Sequence, residues 1–251
     1  MTTTLPDFFA PPDADELLRD DLMRIIRDKH DVHPRHLQKA LGPSEIGHPC
    51  LRKMAYGLLN RSHAGPGYDP LPSIIGTAVH SWLFDAAVHA NAQLGRQRWH
   101  TEIKVRVGAD ISGTADLYDA DTQTVIDYKV PGRNRFDMYR RQMSEVYRTQ
   151  VHLYAFGLIR MGMPVDRVAI CLLPRGGSLS STHLWTEDYD ERIADAAIAR
   201  LNAVIALLND WDTEHHPDRF HWFAKSGPDC CWCPYWRPNP SGPLHCDGVD
   251  A

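Results

Sequence analysis

Apolar residues recur at helical spacing in the first part of the chain and predict three helices there. The first helix begins after Asp13, where five apolar residues form a single stripe. The second is predicted over 44–59 and the third over 75–92, with a glycine- and proline-rich loop over 60–73 between them. Residues 1–12 are rich in proline, and we expect them to form a flexible tail.

The middle of the chain contains short apolar runs separated by turns, and this pattern predicts a β-sheet. Three consecutive strands with short connections are typical of an antiparallel meander. Two further strands and two helices follow, so the pattern predicts an α/β fold in which helices flank a mixed sheet. The predicted strands cover 100–107, 111–118, 123–130, 167–173 and 182–186, and the predicted helices cover 136–161 and 188–208.

The length of 251 residues suits one large domain or two small ones, and the hydrophobic fraction of 43% is ordinary for a globular protein. The longest aliphatic run, 203–208, is too short to span a membrane. Residues 1–16 contain acidic side chains and lack the basic region of a secretory signal. We therefore expect a soluble, cytoplasmic protein without a membrane partner.

The formal net charge of −5 argues only weakly against a nucleic-acid partner, because basic residues concentrate in one segment. Residues 129–148 contain six lysine and arginine residues and two acidic residues. Such a strip can bind a phosphate backbone with salt-dependent affinity, or it can be the solvated face of a helix. The basic residues are Lys129, Arg133, Arg135, Arg140, Arg141 and Arg148.

Two carboxylates and a lysine lie on the second and third predicted strands. Residues i and i+2 of a strand point to the same face, so Asp127 and Lys129 project together, and Asp116 can reach them from the neighbouring strand. A solvated surface is the ordinary explanation, but Val125 and Ile126 before the second acid indicate a buried strand. Carboxylates held close together repel each other and attract a hard cation such as Mg²⁺ or Mn²⁺. An ammonium beside that cation is a partner for a phosphate.

Four of the six cysteines lie in the last 28 residues. Cys230 and Cys233 form a C-x₂-C pair that can chelate one metal or one cluster, and Cys246 can add a third thiolate. We choose Cys50, at an irregular helix start, as the fourth ligand. Cys171 lies inside an apolar run and is predicted to be a buried core residue.

The identity of this cysteine site is open from spacing alone. A four-cysteine zinc site and a four-cysteine iron–sulfur cluster are equally allowed, whereas disulfides are disfavoured for a protein without an export signal. Cys231 competes with Cys230 as a ligand. We prefer Cys230, because its x₂ spacing to Cys233 closes a chelate ring more readily.

Short motifs follow one another along the chain and carry the acids, the first cysteine and a histidine. They are Ser44-Glu45-Ile46, Cys50-Leu51-Arg52-Lys53, Gly76-Thr77-Ala78-Val79-His80, Gly113-Thr114-Ala115-Asp116, Asp127-Tyr128-Lys129 and Gln150-Val151-His152-Leu153-Tyr154.

In this order, and with the final cysteine group, these motifs resemble RecB-type nucleases of the PD-(D/E)XK superfamily. The chain is most similar to the branch with an iron–sulfur cluster, which includes CRISPR-associated exonucleases and their phage-encoded relatives. The resemblance implies one nuclease domain over 1–251, with a restriction-endonuclease-like core over 74–211. It also implies a subdomain, formed by 44–60 and 224–251, in which the four cysteines hold a 4Fe-4S cluster; zinc is the alternative.

The resemblance further implies that His80, Asp116 and Asp127 bind Mn²⁺ or Mg²⁺, with the Tyr128 carbonyl as another donor. An imidazole ligand favours Mn²⁺. The metal would polarise the scissile phosphate and activate water, while Lys129 stabilises the developing negative charge or orients that water. A helix histidine capped by a neighbour is the alternative explanation for His80.

Five accessory residues complete the expected site. Gln150 and Tyr154 are four positions apart on one helix and share a face, which we expect to line the site and contact DNA; core packing is the alternative for Tyr154. Glu102, at the start of the first strand, is a weaker accessory candidate. Arg133 and Arg135 are expected to bind DNA.

The predicted function is a metal-dependent DNA exonuclease that acts on single strands in recombination, repair or CRISPR-linked processing. A structure-specific or RNA-directed endonuclease with the same active site is one alternative. A non-catalytic DNA-binding or adaptor module is the other.

Overall fold

The second of two compact units contains every predicted site residue. The chain divides into Met1–Lys39 and Ala40–Ala251. Some predicted features lie outside the residues that the structure describes: Asp13, the tail over 1–12, part of the loop over 60–73 and the side chain of Cys231. The computed structural model describes residues 14–32, 41–61, 69–108, 111–227, 230–237, 239, 241–242 and 245–249.

The first unit contains helix α1 (Ala14–Asp31). Acidic residues occupy its first turn and basic residues its last turn, which suits the helix dipole. Its apolar stripe, including Leu17, Leu22 and Ile25, is exposed.

The predicted helix over 44–59 is in fact two helices, α2 (Pro43–Ile46) and α3 (Leu51–Leu58). The prediction of one helix was wrong because Pro49 disfavours the helical conformation in the residue before it, while Cys50 caps the second helix. Gly47 lies at the break, where an added Cβ would come within 2.8 Å of the Val146 carbonyl oxygen. Glycine therefore allows the break to lie directly against a later helix.

Helix α4 (Leu71–Leu94) extends beyond its predicted bounds of 75–92. Pro72 lies in its first turn, where the missing N–H group has no intrahelical partner to lose. Gly95 ends the helix in the left-handed conformation, with φ of 64°.

Five strands form a single mixed sheet in the order β1-β2-β3-β4-β5. The first three strands pair antiparallel, β3 and β4 pair parallel, and β4 and β5 pair antiparallel. This arrangement confirms the predicted mixed sheet with an antiparallel meander. The strands are β1 (Trp99–Arg106), β2 (Ser112–Asp119), β3 (Thr124–Lys129), β4 (Arg167–Leu172) and β5 (His183–Asp188).

The crossover from β3 to β4 contains α5 (Arg133–Arg141) and α6 (Glu145–Arg160), where the sequence predicted one helix over 136–161. The prediction was wrong because the backbone becomes extended at Gln142 and again at Ser144, while Met143 turns into the sheet core.

Helix α6 joins the two hydrophobic cores of the second unit. Val151 and Leu158 pack in the core beneath the sheet, whereas Leu153 packs in the core shared with α3 and with α7 (Glu191–Asp210). Within the described part of the chain, no helix is long and apolar enough to cross a membrane.

Candidate functional site

Three carboxylates lie in one row across neighbouring strands of the meander. Pairing between β2 and β3 ends at Leu117 and Ile126, and the next position in that register sets Asp116 opposite Asp127. On β1, Glu102 is opposite Asp116 and interrupts an otherwise regular ladder. The end of strand pairing therefore leaves three acids at one level of the sheet.

The side chain of Asp116 hydrogen-bonds to β3 just beyond the point where the backbone pairing of β2 and β3 ends. Its Oδ2 accepts a hydrogen bond of 2.8 Å from the backbone N–H of Tyr128. Burial alone would raise the pKa of this carboxyl, but His80, Lys129 and the Tyr128 amide outweigh burial and lower it. Asp116 is therefore held as a buried carboxylate.

His80 of α4 lies against this carboxylate. Its Nε2 is 3.1 Å from the carbonyl oxygen of Tyr128, and its Nδ1 is 3.3 Å from Oδ1 of Asp116. The second contact lacks hydrogen-bond geometry, so among the described residues the buried Nδ1 has no hydrogen-bond partner. Burial lowers the pKa of His80, but Asp116 and then Asp127 outweigh that effect and raise it. The atom Nδ1 is thus suited to a proton or a metal ion.

Glu102 completes a group of three possible metal ligands. One ligand atom each from His80, Glu102 and Asp116 lies within 4.8 Å of the other two. The backbone of Glu102 has φ of 49°, a left-handed conformation that is strained for a residue other than glycine. The sequence indicated Glu102 only as an accessory residue, because a strand pattern does not reveal a backbone of this kind.

Asp127 and Lys129 form an ion pair at the end of β3. Asp127 is only 1% exposed, and its Oδ1 accepts a hydrogen bond of 3.0 Å from Nε2 of Gln150. Burial raises the pKa of Asp127 to about 6, against the lowering effect of Lys129. A neighbouring cation would favour the ionised form of this carboxyl.

Gln150 and Tyr154 lie behind Asp127. They are 4% and 6% exposed, and Nε2 of Gln150 lies 2.9 Å from the Tyr154 hydroxyl oxygen. Because both side chains are buried, neither is placed for the DNA contact that we expected from the sequence. The geometry instead suits Gln150 to positioning Asp127.

The basic strip is partly neutralised by neighbouring acids. Arg148 contacts Glu187 at 2.7 Å and Glu145 at 3.4 Å. Arg133 and Arg135 lie exposed on α5. Arg135 also lines a cavity that contains the predicted cysteine ligands.

That cavity has a volume of about 740 Å³, and four cysteines line it: Cys50, Cys230, Cys233 and Cys246. Arg52, the second residue of α3, links the early and late cysteine segments, because its Nη1 lies 3.5 Å from Oδ1 of Asp247. Its side chain donates to the carbonyl oxygens of Phe223 and His221 at 3.2 and 2.7 Å.

Backbone N–H groups point at three of these sulfur atoms at 3.4 Å. Cys50 accepts from Lys53, Cys230 from Val249 and Cys246 from Gly248. Such contacts stabilise sulfur atoms that carry negative charge. Burial raises the pKa of Cys233, and the Cys230 thiol donates to the Gly227 carbonyl, so these cysteines would lose their protons on binding a metal. We therefore describe the cysteine cavity as a candidate site for a metal ion or a cluster.

Cys171 is different, because it lies on β4 away from the cysteine cavity. Burial raises its pKa to about 11, which keeps the thiol protonated at neutral pH. No disulfide involves any of the five cysteines whose side chains are described.

No family model matches the chain, and no curated protein matches it. Solved structures that resemble it include a phage-related exonuclease from Haemophilus somnus 129PT, with a TM-score of 0.48 and 14% identity over 66% of this chain and 82% of the other. An alkaline exonuclease (LHK-Exo) from Laribacter hongkongensis has a TM-score of 0.49 and 12% identity over 68% and 89%. The same enzyme in complex with dAMP has a TM-score of 0.49 and 13% identity over 71% and 93%.

Proposed function

We propose that the protein is a metal-dependent nuclease that hydrolyses phosphodiester bonds of DNA, acting as an exonuclease on single strands. The observation that carries the proposal is the convergence of His80, Glu102 and Asp116 within 4.8 Å, next to the ion pair of Asp127 and Lys129. In this role the protein would serve recombination, repair or CRISPR-linked processing of DNA.

The donor atoms fit a divalent cation. A buried imidazole nitrogen without a hydrogen-bond partner among the described residues faces carboxylate oxygens from two strands. We assign His80, Glu102, Asp116 and Asp127 to the ion, with the Tyr128 carbonyl as a further donor. A mixed nitrogen and oxygen set suits Mn²⁺, and Mg²⁺ is the alternative. When bound, the ion would supply Lewis-acid activation of a water molecule and of the phosphate.

The remaining side chains have separate tasks. Lys129 would place its ammonium beside the phosphate and stabilise the negative charge that develops there. Gln150 would fix the orientation of Asp127 through the hydrogen bond of 3.0 Å. Arg133 and Arg135, exposed on α5, would bind the phosphate backbone with salt-dependent affinity.

We further propose that Cys50, Cys230, Cys233 and Cys246 hold an iron–sulfur cluster. The observation that supports this proposal is a cavity of about 740 Å³ that all four cysteines line. Zinc, which also binds four thiolates, is the alternative occupant.

The test is cleavage of end-labelled linear single-stranded DNA and of a single-stranded circle, each with Mn²⁺ or with a chelator. We expect loss of the linear strand alone, and only with the metal. Cleavage of the circle would favour an endonuclease with the same active site. If protein that binds Mn²⁺ cleaves neither substrate, the nuclease proposal is wrong and a DNA-binding module becomes the better hypothesis.

A further inference from the structure

Lys129 contacts an aromatic ring as well as its acidic partner. Its Nζ lies 4.8 Å from the ring centroid of Tyr147, within the range of a cation–π interaction. Tyr147 is three residues before Gln150 on α6, so the two side chains share a helix face. One face of α6 therefore contacts both members of the Asp127–Lys129 ion pair.

The Tyr147 ring is itself supported by a second ring. Tyr139 of α5 packs against it edge to face, with ring centroids 5.2 Å apart and an interplanar angle of 69°. Both rings are half-buried and line the cysteine cavity. Two helices thus determine where the ring meets the lysine.

We propose that Tyr147 is the positioning residue for Lys129, an inference that rests on the proposed function. A lysine ammonium ends a flexible four-carbon stem, and its ion pair with Asp127 alone would leave that stem free to change rotamer. The Tyr147 ring gives the ammonium a second contact without neutralising its charge. Tyr147 therefore keeps the ammonium at the site with its charge available to a phosphate.

Two substitutions distinguish the effect of the Tyr147 ring from the effect of its hydroxyl group. Tyr147→Phe keeps the aromatic face, whereas Tyr147→Leu removes it and keeps an apolar side chain. We expect Tyr147→Phe to retain kcat within about 2-fold and Tyr147→Leu to lose about 10-fold, with KM for single-stranded DNA changed less than kcat. In a Lys129→Met background, Tyr147→Leu should cause no further loss.

A second readout does not depend on activity. NMR of the Lys129 side chain should show its ε-methylene protons shifted by the ring current in wild type and Tyr147→Phe, and this shift should disappear in Tyr147→Leu. Mn²⁺ binding and circular dichroism of each variant check that the fold and the metal site remain. If wild type shows the shift but no cleavage, the proposed function fails while the Tyr147 contact stands.

Any of four results would overturn the positioning role. In the kinetics, Tyr147→Leu could keep the wild-type kcat, Tyr147→Phe could lose as much activity as Tyr147→Leu, or Tyr147→Leu could slow the reaction further in the Lys129→Met background. In the NMR experiment, the fourth result is the absence of a ring-current shift in wild type.

Discussion

Gln150 donates a hydrogen bond of 3.0 Å to Oδ1 of Asp127, and the other carboxylate oxygen of Asp127 faces Lys129. The acid that a strand pattern placed at the site is thus held by a helix from a different part of the chain. The role of Gln150 can therefore be tested without substrate, by measuring how its replacement changes the stability of the protein.

Replacing Gln150 with leucine should destabilise the protein. The buried Oδ1 of Asp127 would lose its partner, at a cost of about 1–3 kcal/mol in the free energy of unfolding at pH 7. Urea unfolding of the metal-free protein measures the change. Thr149→Ala, at the adjacent half-exposed position, is the control. Equal stability of the two variants would contradict the assigned role of Gln150.

Replacing Glu102 with glycine should leave stability unchanged or raise it, while it lowers the affinity for metal. Its left-handed backbone favours glycine, so Glu102→Gly should leave the metal-free protein as stable as wild type or up to about 1 kcal/mol more stable. Glu102→Gln removes the same charge but keeps the backbone strain, so it should be less stable than Glu102→Gly.

Both Glu102 variants lose a carboxylate and should bind Mn²⁺ about 10-fold more weakly. Thermal unfolding and calorimetric titration with Mn²⁺ provide the two measurements. Wild-type affinity in both variants would exclude Glu102 as a ligand.

Metal affinity should fall in mildly acidic solution. The pKa of Asp127 is about 6 without metal, so a proton occupies this carboxyl below that pH and must leave when the ion binds. The raised pKa of His80 acts in the same direction. We expect Mn²⁺ affinity to fall by up to about 10-fold per pH unit for each proton displaced below pH 6. Titrations between pH 5 and about pH 8 that gave one constant affinity would contradict this assignment.

The cysteine cavity should bind iron and sulfide through its four lining cysteines. Cys233→Ser should lose most of the bound iron and the visible absorption of the protein. It should also lower the melting temperature, because a cluster that joins Cys50 to the C-terminal segment closes a long loop. Cys171→Ser is the matched control and should retain both.

Anaerobic purification followed by metal analysis decides between the two possible occupants. Stoichiometric zinc without colour would overturn the iron–sulfur proposal. Iron retained fully in Cys233→Ser would remove that residue from the ligand set.

Periodicity predicted the parts of the site that depend on local geometry. Asp127 and Lys129 are two positions apart on β3, and a strand places such residues on one face, so their contact follows from the sequence. The meander likewise follows from short turns between apolar runs, and it brings Asp116 to the level of Asp127.

Features that depend on tertiary packing were not predictable in this way. Helical periodicity does not predict the break between α5 and α6. An apolar residue at position 143 fits one continuous helix as well as two helices, and Met143 turns inward only because it packs against the sheet core. Glu102 adopts its strained backbone where β1 meets Asp116, a condition that no strand propensity contains. The burial of Gln150 likewise depends on how closely α6 packs behind β3.

The ammonium of Lys129 should be required if this site cleaves DNA. Single-turnover cleavage of linear single-stranded DNA in Mn²⁺ should be at least about 100-fold slower in Lys129→Met than in wild type, because the developing negative charge loses its ammonium partner. The variant should still fold and still bind Mn²⁺. Cleavage by Lys129→Met at the wild-type rate would contradict the account.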